Sequence, residues 1–399
     1  MRVSVIGMGT GGGTLTVSAV EALRGADAYI GAKRLMEHLP SGCGANRHVA
    51  VMAEGIAAWI VSHKEFQHIC VLVSGDAGFY SGAKKLLPLL DGVETAVYPG
   101  ISSVAFFAAK LQLPWEDWKL ISAHGRAQDV IGPVRDNEKT FFLTGNTQSA
   151  DGICKALLET GLGACIAAVG ERLGETGECV VRGTVEKISK LRFDALSVLL
   201  IHNPAPRKLV SAGLPDEAFL RGGAPMTKSE VRSAVLSKLR LQKGDTFFDI
   251  GAGTGSVSIE AALLLSAGHV YAVEQEADAC ELIQKNEKQF HIGNLTIVPG
   301  RAPEALAALP MPDAAFIGGA GGRLFEILAA LLEKNPRVRI VVSAVTLETI
   351  GEATAAFKEL PIKDTEVVQL SVSRTKQLDK YQLLQAQNPV FLFSGVGNG

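Results

Sequence analysis

Short apolar runs, each closed by glycine or a polar residue and followed by an amphipathic stretch, recur along the whole chain. ICVLVSG (69–75), KTFFLTGN (139–146) and ALSVLLIHNP (195–204) are apolar almost without interruption. Such runs predict strands of a parallel sheet covered on both faces. Helical periodicity fills the gaps between them. VSAVEALRGA follows RVSVIG, and ISSVAFFAAKLQL follows TAVYPG, with Ser102 or Ser103 as the helix start. The alternation predicts an α/β architecture. From Asn203 to Pro225 the rhythm fails in a stretch carrying Pro204, Pro206, Pro215 and Pro225. The expected organisation is a domain over 1–205, a linker over 206–224 and a second domain over 225–399. In the second half, MTKSEVRSAVLSKLRL reads as an amphipathic helix with a capping box of Thr227 and Glu230. TEVVQLSVSR and NPVFLFSG read as a closing antiparallel pair, the last of seven strands.

Two glycine loops stand at strand-to-helix junctions. In FFDIGAGTGS (247–256) a buried strand stops at Gly251, Gly253 and Gly255 before a helix begins. Glycine permits close backbone approach, and the following helix offers free N–H groups. The next strand ends at Glu274, where such units set an acid against ribose hydroxyls. A dinucleotide loop wants a third glycine where Ser256 stands. The G-x-G-x-G order is that of S-adenosylmethionine (SAM) methyltransferases. The first loop, GMGTGGG, satisfies the dinucleotide spacing at Gly7, Gly9 and Gly12, but no acid ends the next strand, so it reads as a turn rather than a cofactor loop.

Composition removes several classes. With 399 residues two domains are expected, and a net charge of −2 gives no general attraction to nucleic acid or an anionic membrane. The six cysteines show no C-x-x-C pair, which suggests a reducing, cytoplasmic setting and no metal site. No apolar run approaches a membrane span. Strand-end loops carry Asp76, His124, Asn146 and Glu171, of which Asp76 is the strongest functional candidate. No acid–base dyad is evident, and catalytic residues stay unassigned.

Both halves resemble known families. VIGMGTGGGTLT, VSGDAGFYSG, YPGISSVAFFAAKL, LISAHGR, FFLTGN and AVGERLGETGE resemble the tetrapyrrole methylases. MTKSEVRS, DIGAGTGSVSIEAA, GRAPEAL, AFIGGAGG, VVSAVTLE and AQNPVFLFSG resemble the smaller precorrin methyltransferase-decarboxylases. Their fusion resembles the precorrin-6B (precorrin-6Y) C(5,15)-methyltransferases of cobalamin synthesis. The resemblance implies a two-lobed tetrapyrrole methylase fold followed by a Rossmann-like class I methyltransferase fold, and two SAM sites. The first site falls on Gly75, Asp76, Phe79, Ser102, Ser103 and Thr144. The second falls on Thr227, Gly251, Ala252, Gly253, Thr254, Gly255, Glu274 and Ala302. Lys228, Arg232, Gly319, Arg323 and Arg374 are candidates for contact with the carboxylate-bearing tetrapyrrole, with Arg301 and Lys376 beside them. A homo-oligomer is expected. The sequence departs from the families at Gly11–Gly13, where an Asp is common, at Arg301, where an Asp is common, and at Ser343, where Asn is common. The competing reading gives the second domain a nucleic-acid or protein substrate, with the first as an accessory. The near-neutral charge and the lack of a basic stripe or an N-P-P-Y motif weigh against it.

Overall fold

The computed structural model describes residues 1–124, 128–207 and 211–399. Two sequence expectations touch the remainder: Gly125 and Arg126 of LISAHGR, and 208–210 of the linker, lie outside the described residues. The chain forms two compact units. The first comprises Met1–Gln128, Asn137–Lys155 and Ala164–Pro204; the second comprises Asp129–Asp136, Ala156–Gly163 and Ala205–Gly399.

Unit 1 holds two five-stranded sheets. The first is built from β1 (Arg2–Gly7), β2 (Ala28–Gly31), β3 (Arg47–Val49), β4 (His68–Val73) and β5 (Glu94–Tyr98), in the order β3-β2-β4-β1-β5. All its pairings are parallel. Val3, Val5, Ile30, Ile69 and Val71 are buried on one face, and Ile6, Tyr29, Cys70 and Leu72 on the other. That two-sided burial is what the continuous apolar runs require. The second sheet contains β6 (Lys119–Ser122), β7 (Lys139–Leu143), β8 (Ile166–Glu171), β9 (Cys179–Thr184) and β10 (Ser197–His202), ordered β6-β7-β10-β8-β9. Only β6 and β7 run parallel in it. Between the two sheets in sequence, the helix Ser103–Leu111 is capped by Ser102, whose hydroxyl accepts from the Ala105 N–H, as expected for that position.

Unit 2 is organised around β11 (Thr246–Ile250), followed by β12 (His269–Glu274), β13 (Leu295–Pro299), β14 (Ala314–Ile317), β15 (Arg339–Ala344), β16 (Ile362–Leu370), β17 (Ser373–Leu378), β18 (Tyr381–Ala386) and β19 (Val390–Gly397). Seven of these form one sheet in the order β13-β12-β11-β14-β15-β19-β16. The first five are parallel, and β19 enters antiparallel between β15 and β16. Each face is covered, one by the cluster around Phe247, Ile259 and Phe316, the other by that around Phe248, Ile317 and Leu328. The fold is α/β throughout. No described helix is long and apolar enough to cross a membrane.

Three local expectations need correction. The closing pair is interrupted: TEVVQLSVSR is not one strand, because β16 stops at Leu370 and a separate hairpin, β17–β18, stands between it and β19. The hairpin's residues are almost all exposed, so no alternating buried face marked it. The capping box does not form. The helix is Ser229–Leu239, Lys228 is its N-cap without a side-chain bond, and Glu230 pairs with Arg374 instead. The first-turn Ser229 N–H is met by the Asp216 carboxylate from the preceding segment, at 2.9 Å. For that reason the proline-rich stretch is more than a tether after residue 211. Phe219 is buried in the core, and the Gly213 and Leu214 N–H groups donate to Glu260.

Two candidate cofactor cavities

Among the described residues a sizeable cavity is found in each unit. In unit 2 it occupies about 510 Å³ at the C-terminal ends of β11, β12, β14 and β15, where ligands of open α/β sheets bind. Three left-handed glycines turn the chain after β11, with φ of +72° at Gly251, +57° at Gly253 and +75° at Gly255. Each also meets a close neighbour. A Cβ on Gly251 would lie 2.7 Å from the Gly319 carbonyl oxygen, one on Gly253 2.7 Å from that of Pro225, and one on Gly255 3.0 Å from Ile283. The motif therefore serves intramolecular approach as much as ligand access. Gly319, a substrate candidate, is the low wall opposite Gly251.

Glu274 ends β12 with 8% exposure. One of its oxygens accepts from the Gly253 N–H at 2.8 Å; the other accepts from Gln275 and Glu276. A carboxylate offers about four lone-pair sites, so one acceptor site remains for a hydroxyl in the cavity. Asp249, two residues before the loop, is 1% exposed. Burial pushes its carboxyl up to about 7, and the Glu274 charge adds to the rise. Ser258 Oγ donates to one of its oxygens, while the other has no partner among the described residues.

Of the expected residues, Thr227, Gly251, Ala252, Gly253, Glu274 and Ala302 line this cavity, with Lys228, Gly319, Arg301 and Ser343. Thr254 and Gly255 do not; Thr254 is 1% exposed beneath the loop. Arg232 is a correction. It lies on the inward face of its helix, is 0% exposed, and spends its guanidinium on Glu260 at 2.5 Å, Asp216 at 3.4 Å and the Thr227 carbonyl at 2.6 Å. It cannot reach a substrate carboxylate, but it fixes Thr227 in the cavity wall. Arg323 is paired with Glu304 and Glu326, and Arg374 with Asp216 and Glu230; neither lines the cavity. Sequence reasoning did not single out Pro225 and Gln275, which stand outside every motif, nor Gln387 and Asn388, although these two lie in the AQNPVFLFSG stretch.

In unit 1 the cavity is about 390 Å³ and lies at the C-terminal ends of β1, β2 and β4. Gly75, Asp76, Phe79, Ser103 and Thr144 line it as expected; Ser102 is set back as a helix cap. Asp76 is committed locally, one oxygen accepting from Gly78 at 2.8 Å and the other from Gly100 at 3.0 Å. Thr144 Oγ1 donates to the Ser197 carbonyl at 2.7 Å. The reading of GMGTGGG as a bare turn needs correction. Met8, Gly9, Thr10 and Gly11 belong to the cavity wall, held by reciprocal bonds of 3.0 Å between Gly9 and Gly75. The spacing test failed because it looked for a ribose acid after β2, whereas the loop is anchored to the strand-end loop of β4. Arg34 and His38 also line the wall and had no sequence signal, and Glu175 of AVGERLGETGE lines it without having been singled out. Among the described residues, no group of three or more His, Cys, Asp or Glu side chains is placed to hold a metal ion.

Residues 2–189 match the family model of the tetrapyrrole (corrin/porphyrin) methylases, and residues 217–396 that of the precorrin methyltransferase domain. A precorrin-6Y C(5,15)-methyltransferase [decarboxylating] of Sinorhizobium sp is 31% identical over 334 residues, spanning 79% of this chain and 81% of that protein. The chain belongs to this family. Its second half is also 44% identical over 185 residues to a probable cobalt-precorrin-6B C(15)-methyltransferase (decarboxylating) of Pyrobaculum calidifontis, covering 46% of this chain and 94% of the relative. A solved precorrin-6Y C5,15-methyltransferase structure from Geobacter metallireducens GS-15 aligns with 39% identity over 46% of this chain and 97% of its own, with a TM-score of 0.44. As decarboxylating C-methyltransferases, members of this family use SAM as methyl donor. The residues of the unit 2 cavity suit that donor, since Glu274 keeps an acceptor site and Gly251, Ala252 and Gly253 line the cavity beside it.

Proposed function

We propose that this chain methylates precorrin-6B, or its cobalt form, at carbons 5 and 15, and removes the ring C acetate carboxyl as carbon dioxide, giving precorrin-8 in cobalamin synthesis. Unit 1 serves carbon 5, and unit 2 serves carbon 15 and the decarboxylation. Two SAM sites are used, one in each cavity. The observation that carries the reading is the presence, within one chain of this family, of two separate strand-end cavities, the second with a glycine loop and a spare carboxylate acceptor.

SAM, when bound, supplies an electrophilic methyl carbon. Glu274 takes a ribose hydroxyl, and the backbone of Gly251–Gly253 lies alongside. Ile250, Val273 and Ala302 give the wall apolar surface that excludes water. A meso carbon in an enamine-like system is already nucleophilic, so alignment does most of the work and can supply roughly 7–11 kcal/mol. Among the described residues lining the unit 2 cavity, Glu274 is the one acid, and it is engaged by three backbone N–H groups. That agrees with a reaction that needs no strong base. The bond to the acetate carboxyl breaks, its electron pair passes into the conjugated iminium of the macrocycle, and the methylene left behind takes a proton from water to become a methyl group. We assign substrate carboxylates to Lys228, which also lies 3.9 Å from Asp216, and to Arg301, both of which line the wall.

The test is incubation of the purified chain with precorrin-6B and SAM, followed by mass spectrometry. Two added methyl groups and the loss of one carbon dioxide are expected. An unchanged substrate mass would refute the proposal.

A further inference from the structure

The C-terminal ends of β2 and β4 lie side by side, paired in parallel from Ala28↔Ile69 to Gly31↔Leu72. Gly31 makes the junction possible, since a Cβ there would lie 2.8 Å from the Leu72 carbonyl oxygen. The chain leaving β2 enters the helix Lys33–Met36, where Leu35 and Met36 are buried in the core. Their anchoring fixes the backbone of Arg34. The Arg34 guanidinium reaches across to the end of β4 and donates to Ser74 Oγ at 2.9 Å. Ser74 immediately precedes Gly75 and Asp76, and all four residues line the unit 1 cavity.

Among the described residues lining that cavity, Arg34 is the one lysine or arginine. Its hydrogen bond to Ser74 is to a neutral hydroxyl, and the nearest acid of the loop, Asp76, is occupied by the Gly78 and Gly100 N–H groups. This sets it apart from Arg232, Arg323 and Arg374, each neutralised by carboxylates. A guanidinium carries five donors in a planar fork that matches a carboxylate, and Ser74 uses one of them. A cation that is held in orientation but not neutralised, at the rim of a ligand cavity, is suited to an anionic ligand group.

We propose that Arg34 is a carboxylate clamp of the unit 1 cavity, pre-oriented by Ser74. It holds one reactant of the carbon 5 methyl transfer by a two-pronged hydrogen bond; this rests on the methyl-transfer reading of unit 1 given above. Two reactants bear carboxylates: the amino-acid end of the methyl donor, and the acetate and propionate arms of the tetrapyrrole. The exposed position of Arg34 at the rim favours an arm of the macrocycle.

The experiment uses the full chain and the variants Arg34→Gln, Arg34→Lys and Ser74→Ala. Calorimetric titration with S-adenosylhomocysteine and with precorrin-6B is combined with initial rates of methylation at carbon 5. Loss of a charge-assisted pair should weaken binding about 10- to 100-fold. Arg34→Gln is therefore expected to raise Kd and KM for the precorrin by that factor with kcat nearly unchanged. Arg34→Lys should recover part of the loss, because charge returns without the fork. Ser74→Ala should give a smaller rise, and added salt should shrink the differences. A fall in S-adenosylhomocysteine affinity instead, with precorrin affinity kept, would assign the clamp to the donor's carboxylate. Unchanged affinity for both ligands in Arg34→Gln would overturn the proposal, as would a fall in kcat alone. A wild-type chain that adds no methyl would count against the functional reading, while the two titrations, which need no turnover, still judge Arg34.

Discussion

Gly253 shows how little room a single residue can have. Its φ is +57°, and a side chain would press on the Pro225 carbonyl oxygen at 2.7 Å. A Gly253→Val variant should lose S-adenosylhomocysteine binding in unit 2, and methylation at carbon 15 with it, while methylation at carbon 5 continues. Product mass spectrometry reads both. Retention of both methylations would remove Gly253 from the site. Asp249 makes a different prediction. Its folded carboxyl is pushed up to about 7 by burial, against about 3.9 when unfolded. Between those values the folded state keeps a proton that the unfolded state releases, so this group's contribution to stability is full below about pH 4 and is lost as pH rises towards 7. Asp249→Asn should therefore gain stability relative to the wild type between pH 4.5 and 7.5, measured as urea midpoints. A constant difference would show that Asp249 is ionised. The glycines were legible in the sequence because each has a positive φ to explain. The commitment of Asp76 to Gly78 and Gly100 was not, since a Gly-Asp-Ala string is the same whether its carboxylate faces a ligand or its own loop.

Among the elements, the helix Ser229–Leu239 carries the most information. Its periodicity was readable, but its start was not, because the cap comes from Asp216, far back in sequence. Asp216 and Glu260, both with wholly buried side chains, are neutralised by Arg232. Arg232→Ala would leave the buried Glu260 carboxylate without a cation and Asp216 with only Arg374 and Lys228 beside it, and a loss of about 3–5 kcal/mol is expected in urea unfolding of unit 2. Arg374 joins the β17–β18 hairpin to Asp216 at 3.0 Å, yet it is 35% exposed. Solvent screens it, so Arg374→Ala should cost only about 1 kcal/mol. Comparable losses for the two variants would mean that Arg232 is not the central member of the network. The hairpin itself escaped sequence reasoning because its side chains have no buried face to impose a pattern.

At the scale of the whole molecule, a cavity found in each of the two units leads to a stoichiometric prediction. Titration of the full chain with S-adenosylhomocysteine should give two sites per chain, and Gly253→Val should reduce this to one without altering the affinity of the other. A single site in the wild type would refute the two-donor reading.

The α/β class, the covered parallel strands and the glycine loop at Gly251–Gly255 are legible in the order of residues, because strand burial and positive φ act over a few residues and leave their mark there. Glu274 was readable for the same reason, as the polar residue that ends a continuous apolar strand. Tertiary structure alone decided which charges are free. Arg232, Arg323, Arg374, Arg301 and Arg34 are equivalent as letters. Whether a guanidinium is neutralised depends on carboxylates brought in from distant segments, such as Asp216 and Glu260 around Arg232. The first glycine loop was decided in the same way: GMGTGGG lines a cavity because parallel pairing of β1 with β4 brings Gly9 against Gly75. No local spacing encodes that pairing.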